Sequence, residues 1–281
     1  YGSNWPSGLA WAPRPEHRDK YARFVSTLVA RYGKRIRRFE HWNEPNFGWA
    51  NPWSPSSSTW NDSGEYGASF WCSTALELAE LAKVGKQAAG KIPFFGPGFV
   101  DQLDGYQAGQ PPDGRQTKSS MLLYYSARLA DGTYPHDWHD GACIHSYQYD
   151  ASANPREKLV MPPYNLMRAG ALEACGMGGK PGANTEIGAE SGAKGMSVAR
   201  KAFMIRAAAI VNAAAGMGEA CFYKWSRPEQ LGDPAKNAET RDALAFACEL
   251  GGQVLRQCVS YGDGSIWAET ETGTVFDLRV P

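Results

Sequence analysis

The sequence has no excess of charge of either sign, since 29 lysines and arginines balance 29 aspartates and glutamates. Nucleic acids and anionic membrane surfaces are bound through a basic excess, so this balance argues against both as partners. A membrane-spanning helix needs about 20 consecutive apolar residues. No run approaches that length, and the most apolar segment, residues 207–218, is interrupted by Asn212. We therefore expect a chain that neither binds nucleic acid nor enters a membrane.

Closely spaced cysteine pairs are also missing. The six cysteines form no Cys-x-x-Cys pair and show no metal-ligand spacing. Buried free thiols are the preferred interpretation, and one or two disulfides in an exported enzyme are the alternative. No signal-peptide pattern stands at Tyr1, although the chain does not begin with Met. The location stays unassigned, with a secreted or periplasmic one favoured, and we expect neither a cofactor nor a metal.

What is present is an alternation of short apolar strands and amphipathic helices, without an internal repeat, a low-complexity tract or a linker. This pattern indicates βαβ units and a parallel sheet, and 281 residues are within reach of one domain. Strands are predicted at 1–5, 36–44, 92–97, 141–147, 182–187 and 219–225, and helices at 17–33, 68–89, 119–130, 164–175, 196–214 and 239–257. The remaining residues, 258–280, are predicted to form short strands with a Gly-Asp-Gly turn at 262–264.

The connections from strand to helix are long and rich in Trp, Tyr, Asn and Gly, whereas most connections from helix to strand are short. The long connections span 46–66, 101–117, 148–163 and 226–238. A (β/α) barrel carries its active site on the loops that follow its strands. The asymmetry therefore indicates a (β/α) barrel whose functional site lies on that face.

Two glutamates stand at the ends of predicted strands. Glu44 closes strand 36–44 before a Pro turn, and Glu186 ends strand 182–187 before a Gly turn. Strand alternation places Glu40 and Trp42 on the same side as Glu44, facing the barrel interior. Cleavage of a glycosidic bond needs such a pair, because one carboxylic acid protonates the leaving oxygen while an ionised carboxylate stabilises or attacks the anomeric centre.

Four motifs carry a family resemblance. Residues 42–46 (Trp-Asn-Glu-Pro-Asn) resemble the acid/base strand of the clan A glycoside hydrolases, which are retaining enzymes built on a (β/α)8 barrel. Residues 185–188 (Thr-Glu-Ile-Gly) resemble the nucleophile motif of that clan, residues 145–147 (His-Ser-Tyr) its sixth-strand His-x-Tyr, and Trp225 its eighth-strand Trp. The motifs follow one another in the order of the family. Their surroundings look most like families 39 and 5, and residues 3–6 resemble the third-strand end in these families.

The resemblance implies a role at each matching position. Glu44 would be the acid/base and Glu186 the nucleophile. Asn43 would bond the 2-hydroxyl of the sugar, Tyr147 would donate to Glu186, and His145 would contact the substrate or the acid/base. The implied activity is retaining hydrolysis of β-glycosidic bonds in a β-glucan, a xylan or a related poly- or oligosaccharide.

Tryptophans complete the expected substrate-binding set. By the resemblance, Trp225 would form the floor of the central subsite, and Trp5 lies near the third-strand end. Trp49, Trp53 and Trp60 stand in the polar loop 46–66, where core packing does not demand them. Their rings either stack on the C–H faces of a carbohydrate or fold the loop onto the domain.

The resemblance covers only strands three to eight of the family's barrel. We therefore expect an incomplete (β/α) TIM-type barrel of about six parallel strands with a short C-terminal β extension. The second-strand Arg of the family has no counterpart, and the third-strand His of many family 5 members is not evident. Because exposed sheet edges are normally covered, three explanations stay open. The chain is a natural or cloned fragment, a second protomer covers the gap in a homo-oligomer, or residues 258–280 fill part of it.

Other titratable residues have plainer interpretations. Glu190 ranks second as nucleophile, Glu40 is expected to be a buried structural acid, and His41 is expected to pack against a helix. His136 and His139 have a His-x-x-His spacing, but no third ligand is visible, and we expect a solvated turn. Two other functions stay open: a catalytically weak carbohydrate-binding protein, and a metal-dependent hydrolase that uses these two histidines.

Overall fold

A computed structural model describes residues 13–45, 74–100, 120–148, 172–189, 197–222, 234–261 and 265–281. The chain divides into two compact units, a first unit of residues 1–144 and 171–181 and a second unit of residues 145–170 and 182–281. Within the described ranges, no helix combines the length and the apolar character that crossing a membrane requires. The expectation of a single domain stays a prediction, as does cover of the sheet edges by a second copy.

In the part of the chain that the structure describes, five parallel strands form the main sheet, in the same order as in the sequence. They are β1 (Phe39–Glu40), β2 (Phe94–Val100), β3 (Gly141–Gln148), β4 (Gly182–Ala189) and β5 (Met217–Phe222). With helices between successive strands, this is the topology of a partial (β/α) barrel, and the predicted fold class is confirmed. The sixth predicted strand, at residues 1–5, lies outside the described residues.

Among the described residues, six helices connect or flank these strands: α1 (Arg18–Tyr32), α2 (Ala75–Ala89), α3 (Ser120–Tyr125), α4 (Pro135–Trp138), α5 (Val198–Ala214) and α6 (Ala238–Leu250). One 3-10 turn at Pro15–His17 precedes α1, and a π-helical turn covers Glu173–Met177. The predictions of helices at 17–33 and 196–214 agree with α1 and α5 to within two residues. Residues 68–73 and 164–171 of two other predicted helices lie outside the described ranges.

Polar side chains fix the starts of three helices. Thr74 Oγ1 accepts from the N–H of Glu77 at α2, Ser197 Oγ from that of Arg200 at α5, and Asn237 Oδ1 from that of Thr240 at α6. Each oxygen satisfies an N–H that has no partner within the helix, which is worth about 1 kcal/mol per cap. The local sequence therefore determines where α2, α5 and α6 begin.

The predicted helix 239–257 is too long. The helix α6 ends at Leu250, and Gly252 turns the chain with a φ of 83°. Such a positive φ is available to glycine at no steric cost, so the Gly-Gly pair stops the helix. The chain then enters β6 (Leu255–Ser260), which pairs antiparallel with β7 (Ile266–Thr270), and β7 pairs with β8 (Val275–Leu278). The predicted C-terminal β extension is thus present and starts three residues early.

In the second unit, α5 is buried over nearly all of its circumference. Eleven of its residues are buried, among them Ile205, Ile210 and Val211. Its apolar side chains form one core cluster with Ile187 of β4 and with Ile266 and Ala268 of β7. Strand β7 alternates buried and half-buried positions, so one face of the C-terminal sheet packs on this core.

In the first unit, Asp140 joins a helix to a strand. Its Oδ2 accepts from the N–H of Phe94 at 2.8 Å and from Lys86 Nζ of α2 at 2.6 Å. Its own N–H donates to the carbonyl of Phe94 at 2.9 Å. Phe94 itself packs with Ala82 and Ala89 of α2 and Val25 of α1 in a buried cluster. One carboxylate therefore sets where β2 begins beneath the helices.

Two histidines are buried in the first unit beside Phe94. The ring of His41 bonds the carbonyl of Leu78 at 3.0 Å through Nε2 and the hydroxyl of Tyr21 at 3.3 Å through Nδ1, so the prediction that it packs against a helix is confirmed. His139 is only 1% exposed, bonds the Tyr124 hydroxyl at 2.7 Å and stacks on Phe94. The expected solvated turn is therefore wrong for His139, because its aromatic neighbours enclose the ring.

Burial keeps both rings neutral. Desolvation lowers the pKa of His41 to about 4 against the opposing hydrogen bond to Leu78, and desolvation together with the nearby His41 lowers the pKa of His139 well below its ordinary value. Among the described residues, no three metal-binding side chains that include His136 and His139 converge. The ring of His139 is instead part of the core, and its carbonyl accepts from Lys180.

The cysteines follow the preferred interpretation in part. The five described ones are free thiols: Cys143 and Cys175 are buried, Cys258 is intermediate, and Cys221 and Cys248 are exposed. Burial raises the pKa of the Cys175 thiol to about 11 and raises that of Cys258. Cys72 lies outside the described residues. The two exposed thiols do not fit the expectation of burial.

We expect the free energy of unfolding to fall as the pH is lowered from 6.5 towards 4. The folded pKa of His41 is about 4, below the unfolded value of 6.5, so the unfolded chain takes up its proton first. The neutral His41 ring contributes its full stabilisation above pH 6.5, and this stabilisation is lost as the pH falls towards the folded pKa of about 4. The loss amounts to about 3 kcal/mol in the free energy of unfolding for His41 alone. Urea unfolding at pH 7.5, 6, 5 and 4 measures it. The variant His41→Gln should flatten the profile, whereas His17→Gln, at an exposed position, should leave it unchanged.

Candidate active site

A β-bulge shapes the end of β4. Asn184 lies opposite Ala220 of β5, and Ile187 lies opposite Phe222, so three steps along β4 match two steps along β5. Residues on either side of a regular strand alternate, and one extra residue breaks that alternation. Asn184 and Ile187 both face α5, as their contacts show, and the two residues between them, Thr185 and Glu186, both reach His145 on β3 instead. The bulge thus turns two neighbouring polar side chains to one side.

The imidazole of His145 lies between those two side chains. Its Nε2 is 3.1 Å from Thr185 Oγ1, and its Nδ1 is 3.8 Å from Glu186 Oε2. The first distance is that of a hydrogen bond, and the second is too long for a direct one. The His145 side chain is 1% exposed, whereas that of Glu186 is 25% exposed. The carboxylate of Glu186 therefore lies against a buried ring on one side and is accessible to solvent on the other.

Asn184 anchors the other side of the bulge to α5. Its Nδ2 donates to Asn212 Oδ1 at 3.0 Å, and Asn212 Nδ2 donates to the carbonyl of Ala208 at 2.7 Å. Both asparagines are buried, at 0% and 1% exposure. A buried amide needs hydrogen-bond partners, so this pair fixes which residue of β4 faces the helix. The register that presents Glu186 is thereby held by a polar contact inside the core.

The asparagine pair should show coupling in a double-mutant cycle. The single variants Asn184→Val and Asn212→Leu should each lower the free energy of unfolding by about 1–3 kcal/mol, because each leaves a buried amide without its partner. The double variant should lose less than the sum, with a coupling of at least about 0.5 kcal/mol. Combining Asn184→Val with Asn237→Ala, which removes the cap of α6, should be additive. Strict additivity of the first pair as well would contradict the anchoring role.

In the first unit, Glu44 follows a break in the pairing of β1 with β2. The N–H of His41 donates to the carbonyl of Phe95, and in a parallel ladder the next donor to β1 would be residue 97. That residue is Pro97, which has no N–H. Pairing resumes one residue later, where Gly98 N–H donates to the Trp42 carbonyl and the Gly98 carbonyl accepts from the N–H of Glu44 at 3.0 Å.

The predicted strand 36–44 is therefore not continuous: β1 covers only Phe39–Glu40, and an isolated bridge joins Asn43 to Gly98. The offset between paired residues is unchanged across the gap, but the hydrogen-bonding positions on the first strand move from residues 39 and 41 to residues 42 and 44. The simple alternation assumed for Glu40 and Glu44 is therefore interrupted. Glu40 is half-buried, not the fully buried acid expected from sequence.

Glu44 has an unusual backbone. Its φ is 44°, and no other non-glycine residue among those described has a positive φ. L-residues other than Asn and Asp rarely adopt this left-handed conformation, which costs on the order of 1–2 kcal/mol. The residue is 8% exposed, and the following Pro45 is buried. Backbone strain of this kind concentrates where a side chain must be aimed, which makes Glu44 a candidate on grounds independent of its motif.

The other predicted site residues divide into two groups. Asn43 is exposed beside Glu44, and Trp42 is half-buried. Tyr147 belongs to β3, but its side chain is not among those described, and Trp5, Trp49, Trp225 and the competitor Glu190 lie outside the described residues. The residue that sequence reasoning missed is Thr185. Its signal was three consecutive polar residues, 184–186, in an otherwise apolar strand, which a regular alternating strand does not explain.

No protein-family model and no curated protein sequence matches this chain. Solved structures do. The chain is similar to a glucosidase from Croceicoccus marinus, with a TM-score of 0.57 and 13% identity over 98% of this chain and 62% of that one. It is also similar to the endo-β-1,4-mannanase from Thermotoga petrophila, with a TM-score of 0.51 and 12% identity over 94% and 62%.

The fold is that of these two glycosidases. At such identities the likeness establishes the fold alone, and families 39 and 5 stay a prediction. The chain spans about 62% of the length of both structures, which agrees with an incomplete barrel. Glu44 and Glu186 therefore lie on a partial (β/α) barrel, of which the described residues contain five parallel strands.

Proposed function

We propose that this chain hydrolyses β-glycosidic bonds with retention of configuration, using Glu186 as the nucleophile and Glu44 as the acid/base. The observation that carries the proposal is the bulged end of β4, which presents a partly exposed carboxylate against a buried imidazole. A carboxylate in such a position has one side held by the protein and the other side open to a substrate. In a glycosidase-type fold, this arrangement favours attack on an anomeric carbon.

The proposed reaction has two displacements. In the first, a Glu186 oxygen bonds to the anomeric carbon while the glycosidic C–O bond breaks, and Glu44 gives its proton to the departing oxygen. In the second, the Glu44 carboxylate takes a proton from water, the resulting hydroxyl bonds to the anomeric carbon, and the bond to Glu186 breaks. Both carboxyl groups return to their starting states, so no cofactor is consumed.

The two glutamates have different local settings that suit these roles. Glu44 is nearly excluded from solvent and is held by a backbone hydrogen bond to Gly98, so its direction is fixed before substrate arrives. Glu186 is partly exposed and lies beside the Nδ1 of His145, so one side of its carboxyl group faces the ring while the other can meet a substrate. Asn43, exposed beside Glu44, is proposed to bond the sugar 2-hydroxyl.

The proposed substrate is a β-linked polysaccharide or oligosaccharide such as a β-glucan or a xylan. The similar structures are a glucosidase and an endo-β-1,4-mannanase, so mannan is added to the substrates proposed for this chain. Trp5, Trp49 and Trp225 are proposed to stack on sugar rings, because aromatic faces bind the C–H surfaces of carbohydrates. A panel of chromogenic β-glycosides and of soluble glucan, xylan and mannan, assayed with the purified chain, identifies the sugar.

The single variants Glu44→Gln and Glu186→Gln should each lower kcat/KM at least about 1,000-fold on the substrate that the panel identifies, because each removes a group that forms or breaks a bond. Glu271→Gln, at an exposed turn between β7 and β8, is the matched control and should keep the wild-type rate. Glu190→Gln tests the competing nucleophile. Thermal unfolding of every variant checks that the loss is not a loss of folding.

A second measurement separates nucleophile from acid/base. A 2-deoxy-2-fluoro glycoside with a good leaving group should label the chain once, and peptide mass analysis should place the label on Glu186. A label on Glu190, or near-normal turnover of Glu186→Gln, would overturn the assignment. Oligosaccharide binding in calorimetry without hydrolysis over days would show a carbohydrate-binding protein in place of an enzyme.

A further inference from the structure

Thr185 and Glu186 contact opposite nitrogens of one buried ring. Thr185 Oγ1 is 3.1 Å from His145 Nε2, and Glu186 Oε2 is 3.8 Å from His145 Nδ1. Adjacent residues of a regular strand point to opposite faces, so both reach the same ring only because of the bulge at this point of β4. The arrangement therefore joins a hydroxyl, an imidazole and a carboxylate in a row.

A neutral imidazole carries a proton on one nitrogen and accepts on the other. An ionised carboxylate only accepts, so a proton on Nδ1 is attracted to Glu186, whereas a lone pair there would be repelled. With the proton on Nδ1, the Nε2 atom accepts a hydrogen bond, and the Thr185 hydroxyl lies within hydrogen-bond distance of it, at 3.1 Å. The ring is 1% exposed, so solvent does little to screen the difference between the two tautomers.

We propose that Thr185 is a positioning residue for Glu186: its hydroxyl donates to His145 Nε2 and so holds the imidazole as the tautomer that turns Nδ1–H towards the carboxylate. The proposal rests on the proposed function for its catalytic consequence, since Thr185 itself touches neither substrate nor the bond that breaks. The geometry, in contrast, is testable without any activity.

The first test is the tautomer of His145, read from the ¹⁵N chemical shifts of the histidine rings in long-range ¹H–¹⁵N spectra. The chain has five histidines, and the signal that disappears in His145→Gln assigns the ring. At pH 7.5 we expect the neutral Nδ1–H form. Thr185→Val, which keeps the shape and removes the hydroxyl, should move the Nε2 shift and admit the other tautomer, and Thr185→Ser should restore the original signal. An Nε2–H or doubly protonated ring in the wild-type chain would overturn the proposal.

The second test is kinetic. Thr185→Val should lower kcat about tenfold, the effect of one lost positioning hydrogen bond, with KM changed by less than about twofold. Thr185→Ser should recover most of kcat, and Thr274→Val, an exposed threonine before β8, should match the wild-type chain. A merely structural threonine would not give rescue by the hydroxyl together with an unchanged KM.

The outcomes separate the two proposals. If the tautomer responds to Thr185→Val as expected but neither the wild-type chain nor any variant hydrolyses glycosides, the hydrogen-bonded row is present and the proposed function is wrong. If Glu186→Gln abolishes hydrolysis while Thr185→Val keeps the wild-type kcat, the function holds and Thr185 has no positioning role. A wild-type tautomer in Thr185→Val would equally rule out a positioning role for Thr185.

Discussion

Backbone hydrogen bonding between parallel strands is the constraint on which both candidate carboxylates depend. A parallel ladder needs an N–H at every second residue and equal spacing on both strands. At β2, Pro97 supplies no N–H, and the pairing with the first strand resumes one residue later, beside Glu44. At β4, one extra residue stands against β5, beside Glu186. In each unit an irregularity in the main-chain ladder therefore lies beside a glutamate and sets its direction.

The elements that could be predicted from the sequence are those whose signals are local. The periodicity of α1 and the capping residues at the starts of α2, α5 and α6 mark these helices directly. The parallel strand order followed from the alternation of strands and helices. The end of α6 was missed because helical periodicity was extended through a Gly-Gly pair, although glycine is the usual stop.

The candidate site shows the same division. Glu44, Glu186 and His145 stand out in the sequence by their positions at the ends of predicted strands. The contact of His145 with Thr185 was not predicted. It depends on a bulge, and a bulge forms where two paired strands use different numbers of residues over the same distance. The prediction for His139 failed for a related reason: a histidine in a polar run looks solvated until Tyr124 and Phe94, distant in sequence, enclose it.

Hydrogen-bonded polar side chains select one arrangement among several at two places in this chain. The buried pair Asn184 and Asn212 selects the face of β4 that meets α5, and the more exposed Asp140 selects where β2 begins. Apolar packing alone would tolerate a shift of one residue, since Ala and Gly are frequent in these segments. A hydrogen bond between two buried side chains does not tolerate it, because the shift would leave both groups unpaired.

The left-handed backbone of Glu44 has a consequence for how this protein would respond to laboratory evolution. Glycine adopts a φ of 44° without steric cost, so the residue that relaxes this position most has no carboxyl group. A screen that selected variants for thermal stability alone would enrich glycine at position 44. The selected variants would keep the fold but lose the proposed proton donor. Robustness and turnover would have to be selected together.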